Sequence, residues 1–514
     1  MRPLIVLSVS LALIACNPPK NESVKPAEAP KADAPPAAIV EATPKTDATH
    51  SVVRINSTKQ SWNVGQPWEK NEPQKRRALG AIVGPKQVLT TAEMVADATY
   101  LEFESTNGYQ FAQAKVIAVD YEANLALLGP LNEKEGEKLF KDSKPLTLTT
   151  PPKIGQTLEI LQVEDNNLPL LTPGTLQSVT IASTFLPSYS FLTYLVKASM
   201  QSAASSFSLP VLQDGKLAGI LTSYNSKDQI CDVASTDIIA RFLKEASTGT
   251  YKGFPSLGVS IARTEDPSFR QWLKLTEDQG GIYISKVRQR EAAETAGIKV
   301  GDVLLALDGQ KIDRRGYYEH PNYGSLFWAH MIRGEKFTGD VVTLSLLRDG
   351  QPLEIKATLT REDEKSQIVP IYQFDRAPNY LIKGGLVFQE LSRPLLEAYG
   401  EEWTSRAPLS FLDALENPDQ FVGKVERIVF LSGAIPTPAT IGYEGLRNLT
   451  ISKVNDKPVK DMKSLISAFE SHLGEIHSIE FAEEEYAIHL DEAISSEVDS
   501  GLLKRGIPRL YRSN

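Results

Sequence analysis

The sequence predicts a mainly β body carrying α+β modules, on three observations. At 514 residues the chain is too long for one core, and at about 100 to 200 residues per domain it divides into three or four units. Residues 209–222 place two apolar runs on either side of Asp214-Gly215, the pattern of a hairpin in a buried sheet. Further on, Glu291-Ala292-Ala293-Glu294-Thr295-Ala296 is stopped by Gly297 and followed by an alternating run that turns at Asp308-Gly309. Helix, terminal glycine, strand and turn make a consistent αβ unit.

Composition bounds the function classes. Hydrophobic content of 41% and charged content of 23% are those of a soluble globular protein. A net charge of −9 with mixed signs along the chain argues against nucleic acid as a partner and against a basic membrane-binding face. The start of the chain points to the envelope. Met1-Arg2 precedes an apolar run of about a dozen residues, a signal-peptide pattern too short for the ~20 needed to span a bilayer. Leu13-Ile14-Ala15-Cys16 resembles a bacterial lipobox, which implies that Cys16 is diacylated and becomes the membrane anchor. Residues 1–16 are therefore expected to be a lipoprotein signal, and the Pro- and Ala-rich residues 17–50 a solvated tether. Asn17 after the Cys implies the periplasmic face of an outer membrane. Of the two cysteines, only Cys231 remains in the body, so no disulfide framework exists. Flanked by Ile230 and Val233, it reads as an inert strand residue.

Taken in order, residues 78–84 and 87–95 read as two strands around Gly84-Pro85, and residues 114–128 end in Asn124-Leu125-Ala126-Leu127-Leu128. Residues 154–161 open a second set of strands, which holds the 209–222 hairpin and closes through residues 230–233 into a helix over 236–244, with Thr236 as a possible cap. These segments resemble the HtrA/Deg serine proteases, whose trypsin-like double β-barrel would cover residues 51–248. Laid on that resemblance, the general base position is Glu93, the orienting acid is Asn124, and the nucleophile before Pro210 is Phe207. The histidines are His50, His320, His330, His472, His477 and His489, none between the tether and residue 320. Ser202, Ser205, Ser206 or Ser208 with Lys197 would make a serine–lysine dyad, but such serines are common in exposed loops and the stretch reads as a polar loop. The expectation is a chain that is not an enzyme, an inactive homologue of serine endopeptidases.

Residues 252–362 resemble a PDZ domain of the HtrA type. Leu257-Gly258-Val259 matches the loop whose amides hold a peptide's terminal carboxylate, Ile261 continues the receiving strand, and residues 325–332, with Leu326, Ala329 and Ile332, are expected to form the groove helix. A second, divergent PDZ-like domain over 378–514 offers Gly385, Leu386 and Val387 as its loop, with an insertion over 397–426. This order resembles the Deg branch best known from plants. The resemblance implies binding of protein C-termini or unfolded peptides, a membrane attachment through the lipid, and a trimer-based homo-oligomer or a hetero-oligomer with an active paralogue. The expected role is a scaffold, adaptor or chaperone-like part in envelope protein quality control, with a noncanonical endopeptidase and a purely structural partner subunit as rivals. No cofactor and no metal are expected: His320 and His330 read as PDZ core, and His472, His477 and His489 as a solvated face.

Overall fold

The computed structural model of the protein describes residues 48–164, 166–200, 208–482 and 484–513. The expected signal with Cys16, nearly all of the tether, and the loop carrying Ser202, Ser205, Ser206 and Phe207 lie outside the described residues. Among the described residues, no helix is long and apolar enough to cross a membrane.

The first barrel closes in the order β1-β2-β3-β6-β5-β4, with β1 (Val52–Lys59), β2 (Gln74–Gly84), β3 (Gln87–Thr90), β4 (Ala98–Glu104), β5 (Phe111–Asp120) and β6 (Leu125–Pro130). Helix α1 (Glu133–Leu139) follows, its first turn capped by Asn132. The second barrel closes in the order β10-β11-β12-β9-β8-β7, with β7 (Thr157–Val163), β8 (Pro169–Ala182), β9 (Phe191–Lys197), β10 (Leu209–Gln213), β11 (Lys216–Asn225) and β12 (Ile230–Ser235). Asp214 and Gly215, at φ +49 and +73, make the β10–β11 turn that the sequence predicts. Gly219 in β11 is needed for a different reason: a Cβ there would lie 2.6 Å from the carbonyl oxygen of Ala234 on β12. The two barrels are stitched together where Ser208, fully buried, shares a 3.0 Å hydrogen bond with Thr90. Helix α2 (Thr236–Ala246) is capped by Ser235, which accepts from the Ile238 amide, and not by Thr236, whose hydroxyl donates instead to the Ala218 carbonyl.

The first α+β module has a sheet in the order β13-β14-β15-β19-β20, built from β13 (Val259–Ala262), β14 (Ile282–Val287), β15 (Val303–Leu307), β19 (Val341–Arg348) and β20 (Gln351–Thr358), with β16 (Gln310–Lys311) beside β15. Helices α3 (Pro267–Trp272) and α4 (Ala292–Thr295) are short, and α4 ends as expected at Gly297, φ +81. The expected groove helix over 325–332 is a correction. Its first half is the strand β18 (Gly324–Phe327), paired with β17 (Tyr317–His320), and only one turn, α5 (His330–Arg333), is helical. Gly324 at φ +70 turns the chain back, and Tyr318 and Leu326, opposite one another, both bury inward.

The second module has the sheet order β27-β26-β24-β23-β22-β21-β28, with β21 (Tyr380–Lys383), β22 (Leu386–Glu390), β23 (Val429–Ala434), β24 (Leu449–Val454), β26 (Ile476–Phe481), β27 (Ala487–Asp491) and β28 (Tyr511–Arg512), and β25 (Lys457–Pro458) beside β24. The 397–426 insertion contributes α7 (Trp403–Arg406) and α8 (Leu409–Glu416), which pack with α6 (Arg393–Glu397) into a separate apolar cluster around Phe411 and Phe430. Helix α9 (Met462–Glu470) starts in a capping box between Asp461 and Ser464, and α10 (Glu492–Lys504) closes the module.

Candidate functional site

In the first barrel, the Glu93 and Asn124 positions converge. Asn124 is fully buried at φ +54 and its side-chain oxygen accepts from the Glu93 amide at 3.0 Å. The Glu93 carboxylate faces Arg76 at 3.5 Å, and its carbonyl accepts from Lys59 at 2.8 Å. Lys197 is turned toward the Asp228 carbonyl and Ser208 is sealed against Thr90, so these two do not pair with one another, while Ser202, Ser205 and Ser206 lie outside the described residues. Cys231 is fully buried in β12, and burial pushes its thiol up to about 12, so it carries no thiolate near neutral pH.

A strap from the linker between the modules lies against the loops that bear Glu93 and Asn124. Tyr372 and Phe374 pack on Tyr121 at 5.5 and 4.8 Å, and Asp375 and Asp97 each accept the other's backbone amide at 2.9 Å. At the head of the strap, Arg361 bonds Asp120 at 2.9 Å and Glu122 at 3.1 Å, while the Tyr251 hydroxyl donates to Asp120 at 2.8 Å. Burial pushes the Glu122 carboxyl up against the pull of Arg361. No sequence signal pairs these residues, which lie far apart along the chain.

In the first module, the expected receiving loop and strand border a cavity of about 570 Å³. Ser256, Leu257, Gly258, Val259 and Ile261 form one side, and Leu326, Trp328, Ala329 and Ile332 form the opposite side. β13 is the edge strand of its sheet, so its outer backbone groups face this cavity, where a peptide can add as another strand. The far wall is not from this module: Val179, Thr180 and Ile181 of β8 in the second barrel line it, as do Ser188 and Ser190. Arg333 also reaches it, its guanidinium lying over Tyr189 and Phe191 at 5.1 and 5.5 Å.

Gly258 sits at φ +78, and a Cβ there would be 2.6 Å from the Glu291 carboxylate oxygen, so a Gly258→Glu exchange strains the fold as well as the site. The Gly258 amide donates to the Ser256 hydroxyl at 3.0 Å, which an incoming carboxylate would have to displace. Glu291, only 4% exposed, is the residue that sequence reading missed here. Its Oε2 is buried without a hydrogen-bond partner among the described residues, its Oε1 is 3.9 Å from Arg288, and burial pushes its carboxyl up.

The second module is different, and Gly385, Leu386 and Val387 are corrected as peptide-binding residues. Gly384 and Gly385, both at positive φ, form the turn between β21 and β22, so the strand matching β13 is already paired on both edges. Leu381 of β21 packs with Met462, Leu465 and Ile466 of α9, so the chain's own strand occupies the slot between strand and helix. His477 is also corrected: it is buried in β26, bonded to Glu492 at 2.5 Å and Asn455 at 3.0 Å, because strand alternation puts it on the inner face with Ile479 and Phe481.

PDZ-domain family patterns match residues 255–359 and 369–509. Among curated proteins, the chain is similar to Protease Do-like 2, chloroplastic, of Arabidopsis thaliana, 25% identical over 89% of this chain and 74% of that one. It is likewise similar to Protease Do-like 4, mitochondrial, of the same plant, 25% identical over 89% of this chain and 83% of that one. Among solved structures, an HtrA-type protease AlgW with decapeptide is 18% identical, with a TM-score of 0.46, over 62% of this chain and 99% of that one. The expectation of a chain that is not an enzyme is overturned here, because the relatives that match along most of its length are named proteases. That expectation rested on Glu93, Asn124 and Phe207 at the triad positions and on the lack of a histidine between the tether and residue 320; of these, the loop of Phe207 is outside the described residues. A trypsin-like double barrel followed by two PDZ domains gives this chain the architecture of the HtrA/Deg family.

Proposed function

We propose that this chain is an HtrA/Deg-type protein of the bacterial envelope, anchored by a lipid on Cys16, that holds client or substrate proteins by apolar C-terminal segments in its first PDZ groove. The observation that supports this reading is the edge strand β13 facing a preformed cavity, with the Leu257-Gly258 turn at one end and Leu326, Ala329 and Ile332 opposite. A peptide laid along β13 gains backbone hydrogen bonds, and its last side chain enters the apolar slot. The second groove takes no part, since β21 fills it. With a barrel strand as the far wall, the bound segment lies against the protease-type body, which fits a protein that grips a partner before working on it. A trimer-based assembly, or one with a related chain, follows from the same family resemblance.

The test is a titration of apolar C-terminal peptides, free and amidated, against the full chain without its signal. Free peptides are expected to bind in the micromolar range, about −8 kcal/mol, and amidation to weaken them at least tenfold. Equal binding of the two forms would remove the carboxylate from the reading, and Ile332→Asp binding as tightly as the native chain would remove the groove. For the anchor, Cys16→Ser is expected to abolish fatty-acid labelling and release the protein from membranes; continued labelling would show that the lipid is elsewhere.

A further inference from the structure

Outside the lining of the groove, the first PDZ domain gathers two imidazoles and a carboxylate. His320 ends β17, His330 begins α5, and Glu335 follows two residues after α5. The hairpin brings the His320 ring against Tyr323 in a stack at 5.1 Å, and edge-on to the His330 ring at 5.7 Å. One ligand atom from each of His320, His330 and Glu335 lies within 4.8 Å of the others.

Three further features fit a built site. His330 is buried, only 4% exposed, so its ring is held in place by packing. Its ring folds over Gly334, where any Cβ would overlap it. The Glu335 carboxylate is oriented by the Tyr318 hydroxyl, which donates to it at 3.2 Å, the outer support usual for a metal-ligating carboxylate.

We propose that His320, His330 and Glu335 bind a zinc-type divalent cation. Two imidazole nitrogens and one carboxylate oxygen suit zinc, and three protein ligands leave a fourth tetrahedral position for water. Bonds of about 2.0 to 2.2 Å require the ligand atoms to draw closer than they stand, which the exposed Glu335 and half-buried His320 can do by rotating. Ligation through Nε2 of His320 moves its ring hydrogen to Nδ1 and gives up the 3.2 Å bond from the Asn322 amide. The ion would join the β17–β18 hairpin to α5 and so fix the wall that carries Ala329 and Ile332.

The experiment titrates zinc into the metal-stripped full chain without its signal, by calorimetry, with thermal melts in parallel. The native chain is expected to bind one zinc per chain with micromolar or tighter affinity and to melt higher with zinc present. His320→Ala and Glu335→Gln, neither on a fully buried residue, are expected to fold, to lose at least tenfold in affinity, and to lose the thermal gain. X-ray absorption of the zinc-loaded chain is expected to show two imidazoles with oxygen ligands. No zinc binding by the native chain, or unchanged binding in both variants because the ion sits elsewhere, such as at His472 and His477, would overturn the proposal.

Discussion

Replacing Glu291 by Gln is expected to tighten C-terminal peptide binding about tenfold at neutral pH. Glu291 stands beside the Gly258 turn, where a Cβ on Gly258 would come within 2.6 Å of its Oε2, so a peptide carboxylate held by that turn lies close to a second carboxyl. Two unit charges about 5 Å apart at an effective dielectric of about 20 repel by ~3 kcal/mol. Arg288, 3.9 Å from the other Glu291 oxygen but half-exposed, offsets part of this, and about 1.4 kcal/mol, or tenfold, is left. Gln keeps the shape and removes the charge. The sign also fixes a pH dependence. Burial raises the Glu291 pKa, and a neighbouring carboxylate raises it further, so binding takes up a proton and native affinity rises as pH falls. The stability contributed by this raised carboxyl is present below its unfolded pKa of about 4.3 and is lost as pH rises through the folded value. Anisotropy titrations of one labelled apolar peptide from pH 8 to pH 5 would show a sloping native profile and a flat one for Glu291→Gln. A Gln variant that binds no tighter and keeps the native slope would refute the reasoning, because the carboxyl would then not face the ligand.

Other outcomes are expected from the same structure. Gly219→Ala should lower stability by about 2 kcal/mol in urea melts, since its Cβ would press on the Ala234 carbonyl and the barrel wall cannot yield cheaply. Leu381→Ala should cost about 3 kcal/mol by the same measure, and it should let a peptide perturb the Leu386 and Val387 amides in NMR spectra that the native chain leaves unchanged. Arg361→Met should destabilise by about 3 to 5 kcal/mol by leaving Asp120 and Glu122 buried without their cation, seen as an earlier melt of the first barrel. Cys231 should resist alkylation at pH 8 in the folded chain and react only on unfolding; rapid labelling of native protein would contradict its burial.

Much of this was legible because local chemistry carried it. Asp214-Gly215, Gly297 and the inward-facing runs of the barrels each have one conformation that satisfies both turn geometry and burial. The groove wall was harder: Leu326, Ala329 and Ile332 fall at helical spacing, yet Gly324 turned the segment and the pairing of β17 with β18 outweighed that period. Gly384-Gly385 read as a carboxylate loop, but two consecutive positive-φ residues equally make a hairpin turn, and only the pairing of β21 decides between them. Glu291 and the Arg361 cluster were invisible for another reason. Their partners are set by the docking of distant segments, which no window of sequence contains.

The far wall of the first PDZ groove is a strand of the neighbouring barrel. A ligand there feels the gap between two bodies as well as the shape of one. Longer or bulkier terminal residues favour whatever separation accommodates them, and a change in the barrels that alters the gap would alter affinity in turn. Sequence preference measured on an isolated PDZ domain is therefore expected to differ from that of the whole chain, since the wall formed by Val179, Thr180 and Ile181 would be missing.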